Sequence, residues 1–200
     1  RQRQMCIRDS MTAVFMAKFC PKKLYKILKP AINLLAGIPS VVYGFFGLVM
    51  LVPVTGSSML TASIILAIMI LPSVIGVSES ALMAVPDSYY EGSLALGATH
   101  ERSIFSVMLP AAKSGIFAGV VLGIGRAIGE TMAVMMVAGN QQAMPSGILN
   151  GVRTLTSNIA IEMGYATDLH REALIATGVV LFVFILIINI SFSLLKRRSK

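Results

Sequence analysis

Charged residues are scarce in this chain. Only 13% of its 200 residues are Asp, Glu, Lys or Arg, whereas 56% are hydrophobic. A soluble domain usually carries about 25% charged residues, so the composition excludes an ordinary soluble fold and indicates a polytopic membrane protein. The net charge of +8 would suggest a nucleic-acid partner if the basic residues shared one soluble face. They flank apolar runs instead, so we expect membrane lipids around the chain and no nucleic acid.

The motifs of common enzymes and metal sites are missing as well. The two cysteines, Cys6 and Cys20, lack the spacing of a metal site or a disulfide framework. The chain has no G-x-x-x-x-G-K-[ST] phosphate loop, no H-E-x-x-H zinc motif and no G-x-S-x-G nucleophile elbow. We therefore expect no catalytic residue, no metal site and no cofactor in this chain.

The first ten residues lack the apolar segment of a signal peptide. RQRQMCIRDS is polar and charged, and it directly precedes MTAVFMAKFC, which has the composition of the end of an apolar helix. We expect residues 1–10 to be a foreign or artefactual leader and residues 11–200 to form one transmembrane domain.

Long apolar runs dominate the rest of the chain. Three runs without a charged residue have about the 20 residues that a membrane span needs: Ala31–Pro53, Leu60–Ser78 and Ala173–Leu195. A fourth run, Ser114–Gly139, is as long but contains Arg126 and Glu130. Met11–Phe19 is too short for a span and is expected to be the end of a fifth. The sequence thus predicts an all-α polytopic membrane helical bundle with four complete spans plus the end of a fifth.

Basic residues are distributed unequally between the predicted loops. The loops on one side carry most of them: Lys18, Lys22, Lys23, Lys26, Lys29, Arg102, Lys113, Lys196, Arg197, Arg198 and Lys200. The loops on the other side carry Arg153 and Arg171. Because basic loops remain on the inner side of the membrane, we predict a cytoplasmic C-terminus, a cytoplasmic loop 81–113 and an outer loop 140–172.

The outer loop contains apolar residues at helical spacing. They are Ile148, Leu149, Val152, Leu155 and Ile159. This spacing predicts a short amphipathic helix on the outer surface. It is either a plain interfacial helix or a gate over an external entrance.

The cytoplasmic loop reads VPDSYYEGSLALGATHERSIFSVMLPAA. We predict a first helix over Ser88–Leu96, an end or bend at Gly97, and a second helical stretch that runs to Leu109 and stops before Pro110. Such a loop would expose a set of large side chains: Tyr89, Tyr90, Leu94, Leu96, Ile104 and Phe105. A contiguous exposed apolar patch usually marks an interaction surface.

The same loop resembles the cytoplasmic motif of ABC importer permeases, which has the form E-A-A, three residues, G, nine residues, I-x-L-P. The matching positions are Glu91, Gly92, Ser93, Gly97, Val107, Leu109 and Pro110. The resemblance implies a permease bundle of the MetI-like type, in which this loop is a coupling helix set in a groove of a separate ATPase subunit. That subunit would use the ATP. The alternative is a packed connector loop with no partner.

Arg126 and Glu130 stand in the middle of the fourth apolar run. On one continuous helix they would lie on the same face and near the bilayer midpoint, where each charge costs roughly 2.5–3.5 kcal/mol. One hypothesis is a polar, water-accessible site on a solute path, because a guanidinium offers a fork of donors to phosphate or another oxyanion. The other is an inter-helix ion pair that fixes packing.

Glycines recur every fourth residue around this pair. They form one series at Gly115, Gly119 and Gly123 and a second at Gly125 and Gly129. Small residues at this spacing let neighbouring helices approach closely, so we expect both series to serve helix packing.

Three longer stretches are similar to the permease subunits of bacterial phosphate ABC importers: LLAGIPSVVYGFFGL, GRAIGETMAVMMVAGN and RTLTSNIAIEMGYA. The resemblance implies a phosphate permease of a bacterial or archaeal inner membrane, with Arg126 and Glu130 on the phosphate path. It also implies a second permease subunit, ATPase subunits and an external phosphate-binding protein as partners, and a missing first span and most of a second. Alternatives are the partner permease of the same importer, a permease for sulfate or molybdate, and a membrane scaffold or sensor without a conduit.

Overall fold

The computed structural model describes residues 12–198, except for the side chains of Lys22 and of residues 195–198. Within that range the chain is mostly helical and contains no β-strand, only an isolated bridge between Gly139 and Val152. The all-α prediction is therefore confirmed. The predicted leader, residues 1–10, lies outside the described residues.

The helical elements follow one another in short steps along the chain. In order they are a π-helical turn Phe15–Phe19, α1 Lys22–Gly37, α2 Ser40–Phe46, a π-helical turn Gly47–Leu51, α3 Val52–Thr55, α4 Met59–Met83, α5 Asp87–Ala95, α6 His100–Ser103, a π-helical turn Ile104–Met108, α7 Leu109–Gly129, α8 Met132–Val137, α9 Leu155–Glu162 and α10 Asp168–Arg198.

Among the described residues, three helical segments are long and apolar enough to cross a membrane. They are Met59–Met83, His100–Gly129 and Asp168–Leu194. A fourth candidate is bent by 93° between Lys23–Gly37 and Ser40–Thr55. The predicted span Ala31–Pro53 is therefore bent within its length. Pro39 lacks an amide N–H and forces the residue before it out of the helical region, so the first helix ends at Gly37.

The chain divides into two compact units. The described part of unit 1 comprises residues 12–36, 71–124 and 192–198, and unit 2 comprises residues 37–70 and 125–191. The core of unit 1 is formed by apolar residues of several helices: Ala13, Val14, Met16, Ile75, Leu82, Val85, Ile104, Met108 and Ala112. The predicted exposure of Ile104 is wrong, because the helical stretch after His100 turns this side chain into the core, where it is fully buried.

The core of unit 2 forms where α2 and the turn after it meet α8. Its buried members include Tyr43, Ile65, Met69, Val134 and Val137. Two glycines make this contact possible: a methyl group added to Gly44 would lie 2.9 Å from Ala133 Cα, and one added to Gly47 would lie 2.8 Å from Ile65 Cδ1. The glycines of the stretch YGFFG are thus packing positions.

The two predicted glycine series behave differently. A methyl group on Gly115 would lie 2.5 Å from Ala81 Cβ, and one on Gly119 would lie 3.1 Å from Val77 Cβ, so α7 and α4 touch along this face. In the described part of the chain, a methyl group on Gly125 or Gly129 would have no neighbour within 4 Å. The packing role is confirmed at Gly115 and Gly119, and for the second series it stays a prediction.

One predicted helix boundary also differs from the structure. The helical stretch after His100 does not stop before Pro110 but continues through it as α7. The π-helical turn Ile104–Met108 ends two residues before the proline, and it widens the helix where the ring would otherwise meet the Ser106 carbonyl.

Between residues 140 and 167, the predicted outer loop is helical only over α9. Ile148, Leu149 and Val152 lie outside any helix, so the predicted amphipathic helix is wrong over this part. Their backbone has other partners: the Ile148 carbonyl accepts the Leu60 N–H at 3.0 Å, and the Val152 N–H donates to the Ala138 carbonyl at 2.9 Å. The first bond satisfies an N–H at the start of α4 that has no partner inside the helix.

Candidate functional site

The stretch GRAIGETMAV, which lies in unit 2, contains a break between two helices. α7 ends at Gly129, and Glu130 and Thr131 separate it from α8. The predicted continuous span Ser114–Gly139 is therefore interrupted. Glycine is a poor helix former, and Glu130 brings an acceptor that can cap a new helix, so the local sequence favours a restart here.

The polar groups freed by the break find partners nearby. The Glu130 carboxylate accepts the Ala133 backbone N–H, with Oε1 and N 3.2 Å apart. The Thr131 hydroxyl donates to the Gly129 carbonyl at 3.3 Å. From α9, the Thr156 hydroxyl donates to the Glu130 carbonyl at 3.5 Å. The outer loop is thus in direct contact with the break.

Arg126 lies in the last turn of α7 and is exposed. Glu130 is half-buried, and its carboxylate is turned toward α8, where it accepts the Ala133 N–H. Arg126 lies near the C-terminus of α7, and Glu130 lies just before the N-terminus of α8. A cation at a helix C-terminus and an anion at a helix N-terminus are each the favourable choice for the helix dipole. Arg126 also lies close enough to Tyr43 to interact with it electrostatically.

The break can therefore present the exposed Arg126 guanidinium to a solute. A guanidinium offers planar, charge-assisted donors to an oxyanion. Discontinuous helices whose ends meet a passing ion are a recurrent arrangement in membrane transport proteins. The structure brings Arg126 and Glu130 to one place, and their role on a solute path stays a prediction.

The loop 81–113, predicted to be cytoplasmic, forms two helices joined by a tight turn in unit 1. α5 carries Glu91 and Gly92, both exposed, and Ser93, which is buried and donates to the Tyr90 carbonyl at 2.8 Å. Gly97 adopts a φ of +83° and ends this helix as predicted. Val107 and Leu109 are half-buried and Pro110 is exposed, all within the helical stretch that follows α6.

A side-chain contact joins α5 to α6, and apolar side chains along one edge of this helix pair are exposed. The Tyr90 hydroxyl lies 2.7 Å from His100 Nδ1. Of the residues predicted to be exposed, four are: Tyr89, Leu94, Leu96 and Phe105. Leu96 directly follows α5 and is 90% exposed. The four exposed side chains together indicate a contact surface.

Sequence reasoning missed a polar cluster in unit 1. Glu79 on α4 is only 1% exposed, forms an ion pair with Lys29 of α1, and accepts a hydrogen bond from the Tyr25 hydroxyl at 2.6 Å. Tyr25 and Lys29 are four residues apart and so share a face of α1. Glu79 directly follows the apolar run Leu60–Ser78, and a carboxylate at the end of such a run is a sequence signal for a buried polar group. The sequence does not indicate which residues it contacts.

A second cluster lies in the outer loop of unit 2. Arg153 Nη1 lies 2.8 Å from Glu162 Oε1, and His170 Nε2 lies 3.2 Å from Glu162 Oε2. Burial acts to raise the pKa of Glu162, but hydrogen bonds from Arg153 and His170 outweigh it and hold the pKa below its ordinary value of 4.5. The cluster ties the end of α9 to the beginning of α10.

Solved structures share this fold. A chain of the MetNI methionine ABC transporter in an inward-facing conformation superposes with a TM-score of 0.77, covering 98% of this chain and 92% of that one at 18% sequence identity. A chain of an amino acid ABC transporter crystallised with histidines superposes with a TM-score of 0.68, also at 18% identity. At this level of identity the likeness concerns the fold, and it confirms the predicted MetI-like bundle.

Curated relatives are similar in sequence. The probable ABC transporter permease YqgH of Bacillus subtilis (strain 168) is 43% identical over 88% of this chain and 62% of its own length. The phosphate transport system permease PstC of Xylella fastidiosa (strain Temecula1) is 35% identical over 86% of this chain and 61% of its own. PstC of Pasteurella multocida (strain Pm70) is 32% identical over 94% of this chain and 68% of its own. The chain thus spans about three fifths of the length of the first two relatives.

A family model covers nearly the whole chain. It matches residues 10–200 and describes binding-protein-dependent transport system inner membrane components. The helical bundle, the candidate membrane spans and the fold of the solved ABC transporter chains agree with this match. The chain belongs to the family of binding-protein-dependent transport system inner membrane components.

Proposed function

We propose that the chain is the greater part of a permease subunit of a phosphate ABC importer. With a second, PstA-like permease it forms the path for inorganic phosphate across the inner membrane. PstB-like ATPase subunits hydrolyse the ATP that drives transport, and a PstS-like external protein delivers the solute. The observation that carries the solute assignment is the 31–35% identity to several relatives named PstC.

The chemistry of the helix break supports an anionic solute. Arg126 is an exposed cation at the end of an otherwise apolar helix. The free carbonyls at the C-terminus of α7 offset part of its charge. This lowers the affinity for an anion, and a transport site must release its cargo. Glu130 supports the site indirectly, by fixing where α8 begins.

The geometry of the cytoplasmic loop supports an ATPase partner. α5 and α6 are held together by the Tyr90–His100 contact, while Leu96 projects almost entirely into solvent. A rigid pair of short helices with an exposed apolar edge can sit in a cleft of a partner and transmit its displacement. The excess of Lys and Arg in the loops on the side of loop 81–113, and at the C-terminus, supports a cytoplasmic location for this loop and for the C-terminus.

The experiment is uptake of radiolabelled phosphate by the full-length permease assembled with its partner subunits. We expect ATP-dependent uptake that unlabelled phosphate suppresses and that excess sulfate or molybdate does not. The relative at 43% identity has no solute in its name, so a permease for another oxyanion is the second candidate. Suppression by sulfate or molybdate would favour that candidate.

The same preparation separates the remaining alternatives. A chain that pairs with a PstC subunit rather than replacing it would be the PstA-like partner. Assembly with the ATPase without uptake of any oxyanion would indicate a scaffold or sensor.

A further inference from the structure

Glu79 is a fully buried carboxylate in an apolar helix of unit 1. Its side chain is only 1% exposed, and it interacts with Lys29 and with the Tyr25 hydroxyl. A buried ion pair is a weak source of stability, because desolvation of the two charges offsets their attraction. Well-packed apolar side chains would serve stability at least as well. The group therefore calls for an explanation other than stability.

Its position in the chain suggests one. Glu79 lies one turn before the end of α4 at Met83, and α5 begins four residues later, at Asp87. α1 touches this region in two ways: through apolar packing of Tyr25, Leu28 and Ile32 on the core of unit 1, and through the polar contacts with Glu79.

The two kinds of contact differ mechanically. Apolar packing is non-directional, so it resists separation of two helices more than it resists sliding of one along the other. Two hydrogen-bonded groups one helical turn apart on α1 that meet one carboxylate on α4 fix both the rotation and the translation of α1. Any slide would leave a buried charge without a partner, which is strongly unfavourable.

We infer that Glu79 is a positioning residue, which with Lys29 and Tyr25 locks α1 to the cytoplasmic end of α4 so that α1 follows the coupling helix α5. Displacement of α5 by an ATPase is then passed to α1 without slippage. This inference rests on the proposed function, because it takes α5 as the element that the ATPase moves.

The test is an apolar triple variant, Tyr25→Phe, Lys29→Met and Glu79→Leu, in the full-length permease assembled with its partners. Each change keeps the approximate volume and removes the polar contact. We expect normal assembly but weak coupling: solute imported per ATP should fall at least about fivefold, the lower end of the coupling between separate sites. Lys26→Met and Ser80→Ala, exposed on the same two helices, are matched controls and should retain the wild-type ratio.

A second readout does not depend on the solute. Spin labels on α1 at Lys23 and on α5 at Ser88, both exposed, report their separation in the nucleotide-free and ATP-bound states once native cysteines are replaced by serine. The wild type should keep one narrow distance in both states. In the triple variant the distance should broaden or change with ATP.

The outcomes separate the two proposals. A narrow, unchanged distance and a wild-type import ratio in the triple variant would overturn the role of Glu79. Failed assembly of the triple variant together with normal coupling in Glu79→Gln, which keeps an acceptor for Tyr25, would also overturn it and assign the group to folding. A wild type that hydrolyses ATP but imports no phosphate would count against the proposed function, and the distance measurement would still decide the role of Glu79.

Discussion

The Glu130 carboxylate accepts a hydrogen bond from the Ala133 backbone N–H, with Oε1 and N 3.2 Å apart. The acceptor therefore lies at the first turn of α8, where backbone N–H groups have no partner inside the helix. Glu130 is a capping residue of α8 as well as a neighbour of Arg126 in sequence. This gives it a structural role that can be measured separately from transport.

We predict that Glu130→Ala lowers the stability of the assembled permease, because loss of a capping acceptor typically costs about 0.5–2 kcal/mol. Glu130→Gln keeps a side-chain oxygen at the same place and should unfold within a degree or two of the wild type, a small shift for a protein of this size. The measurement is the thermal unfolding temperature of the purified full-length complex. Equal losses in both variants would show that the negative charge, rather than the hydrogen bond, supports α8.

The turn between α5 and α6 gives a second prediction. Gly97 has a φ of +83°, where a β-branched side chain is strained by about 1–3 kcal/mol. Gly97→Val should therefore shift α5 relative to α6 and reduce both binding of the ATPase subunits and uptake, while membrane insertion is retained. The measurement is co-purification of the ATPase with the full-length permease.

The matched control for this turn is Gly92→Ala. Gly92 is exposed on α5, and a methyl group there would meet nothing within 4 Å. Alanine is the better helix former by about 0.8–1 kcal/mol, so this variant should bind the ATPase normally. Wild-type binding by Gly97→Val would refute the assignment of this turn to the docking surface.

The close contact of α7 with α4 gives a third prediction. At Gly115 an added methyl group would lie 2.5 Å from Ala81 Cβ. Overpacking of this kind typically costs about 1–3 kcal/mol, so Gly115→Ala should lower the unfolding temperature. Gly125→Ala, on the same helix but with no neighbour within 4 Å, should leave it unchanged or raise it. Equal effects at both positions would contradict the contact.

The outer-loop cluster gives a fourth prediction, on pH. The folded-state pKa of Glu162 is lowered below 4.5, because the hydrogen bonds from Arg153 and His170 outweigh the effect of burial. Stability from the ionised carboxylate is therefore fully present above pH 4.5 and is lost as the pH falls through the lowered pKa. We expect Glu162→Gln to reduce the unfolding temperature at neutral pH.

The difference between the unfolding temperatures of Glu162→Gln and wild type should shrink as the pH falls from 4.5 through the lowered pKa, because the wild-type carboxylate becomes neutral over that range. Thermal unfolding over a pH series measures it. Glu172→Gln, which removes an exposed carboxylate from α10, is the control and should show no such trend. A constant difference for Glu162→Gln at all pH values would mean that its charge is not involved.

The features that sequence could predict are those set by length and composition. The sequence predicts α4 because a run of apolar residues of that length has few other solutions, and it predicts the end of α5 because Gly97 favours a left-handed backbone. Ile104 was misjudged because the same residue type suits a docking face and a core, and only the rotation of the helix decides between them.

The features that sequence could not predict depend on contacts between distant segments. No proline marks the break before α8 in the sequence. The break is stabilised because Glu130 caps α8 and the Thr156 hydroxyl of α9 donates a hydrogen bond to the Glu130 carbonyl. Glu79 is about fifty residues away from Lys29 and Tyr25 in the sequence, yet its carboxylate forms hydrogen bonds with both side chains. No local periodicity carries such information.

The last prediction concerns Arg126 and the solute. If its guanidinium contacts the passing phosphate, Arg126→Gln should reduce uptake at least about tenfold, since a hydrogen bond to a charged group is worth about 1.5–3 kcal/mol. The amount of assembled complex should not change, because Arg126 is exposed. Arg126→Lys keeps the charge but not the planar fork of donors, so its phosphate uptake should lie between that of Arg126→Gln and that of the wild type. Lys113→Gln, an exposed cation on the same helix, should transport normally.

Exchange of the charges of Arg126 and Glu130 is a poor test of the solute path, because in the structure the two residues lie at the ends of two different helices. Arg126→Glu with Glu130→Arg would place an anion at the C-terminus of α7 and a cation at the N-terminus of α8, both unfavourable to the helix dipoles, and would remove the cap of α8. We expect that variant to assemble poorly whether or not phosphate passes here. The decisive measurement is therefore radiolabelled phosphate uptake by Arg126→Gln, normalised to assembled complex. A wild-type rate per complex would exclude Arg126 from the solute path and leave it as a residue that balances the end of α7.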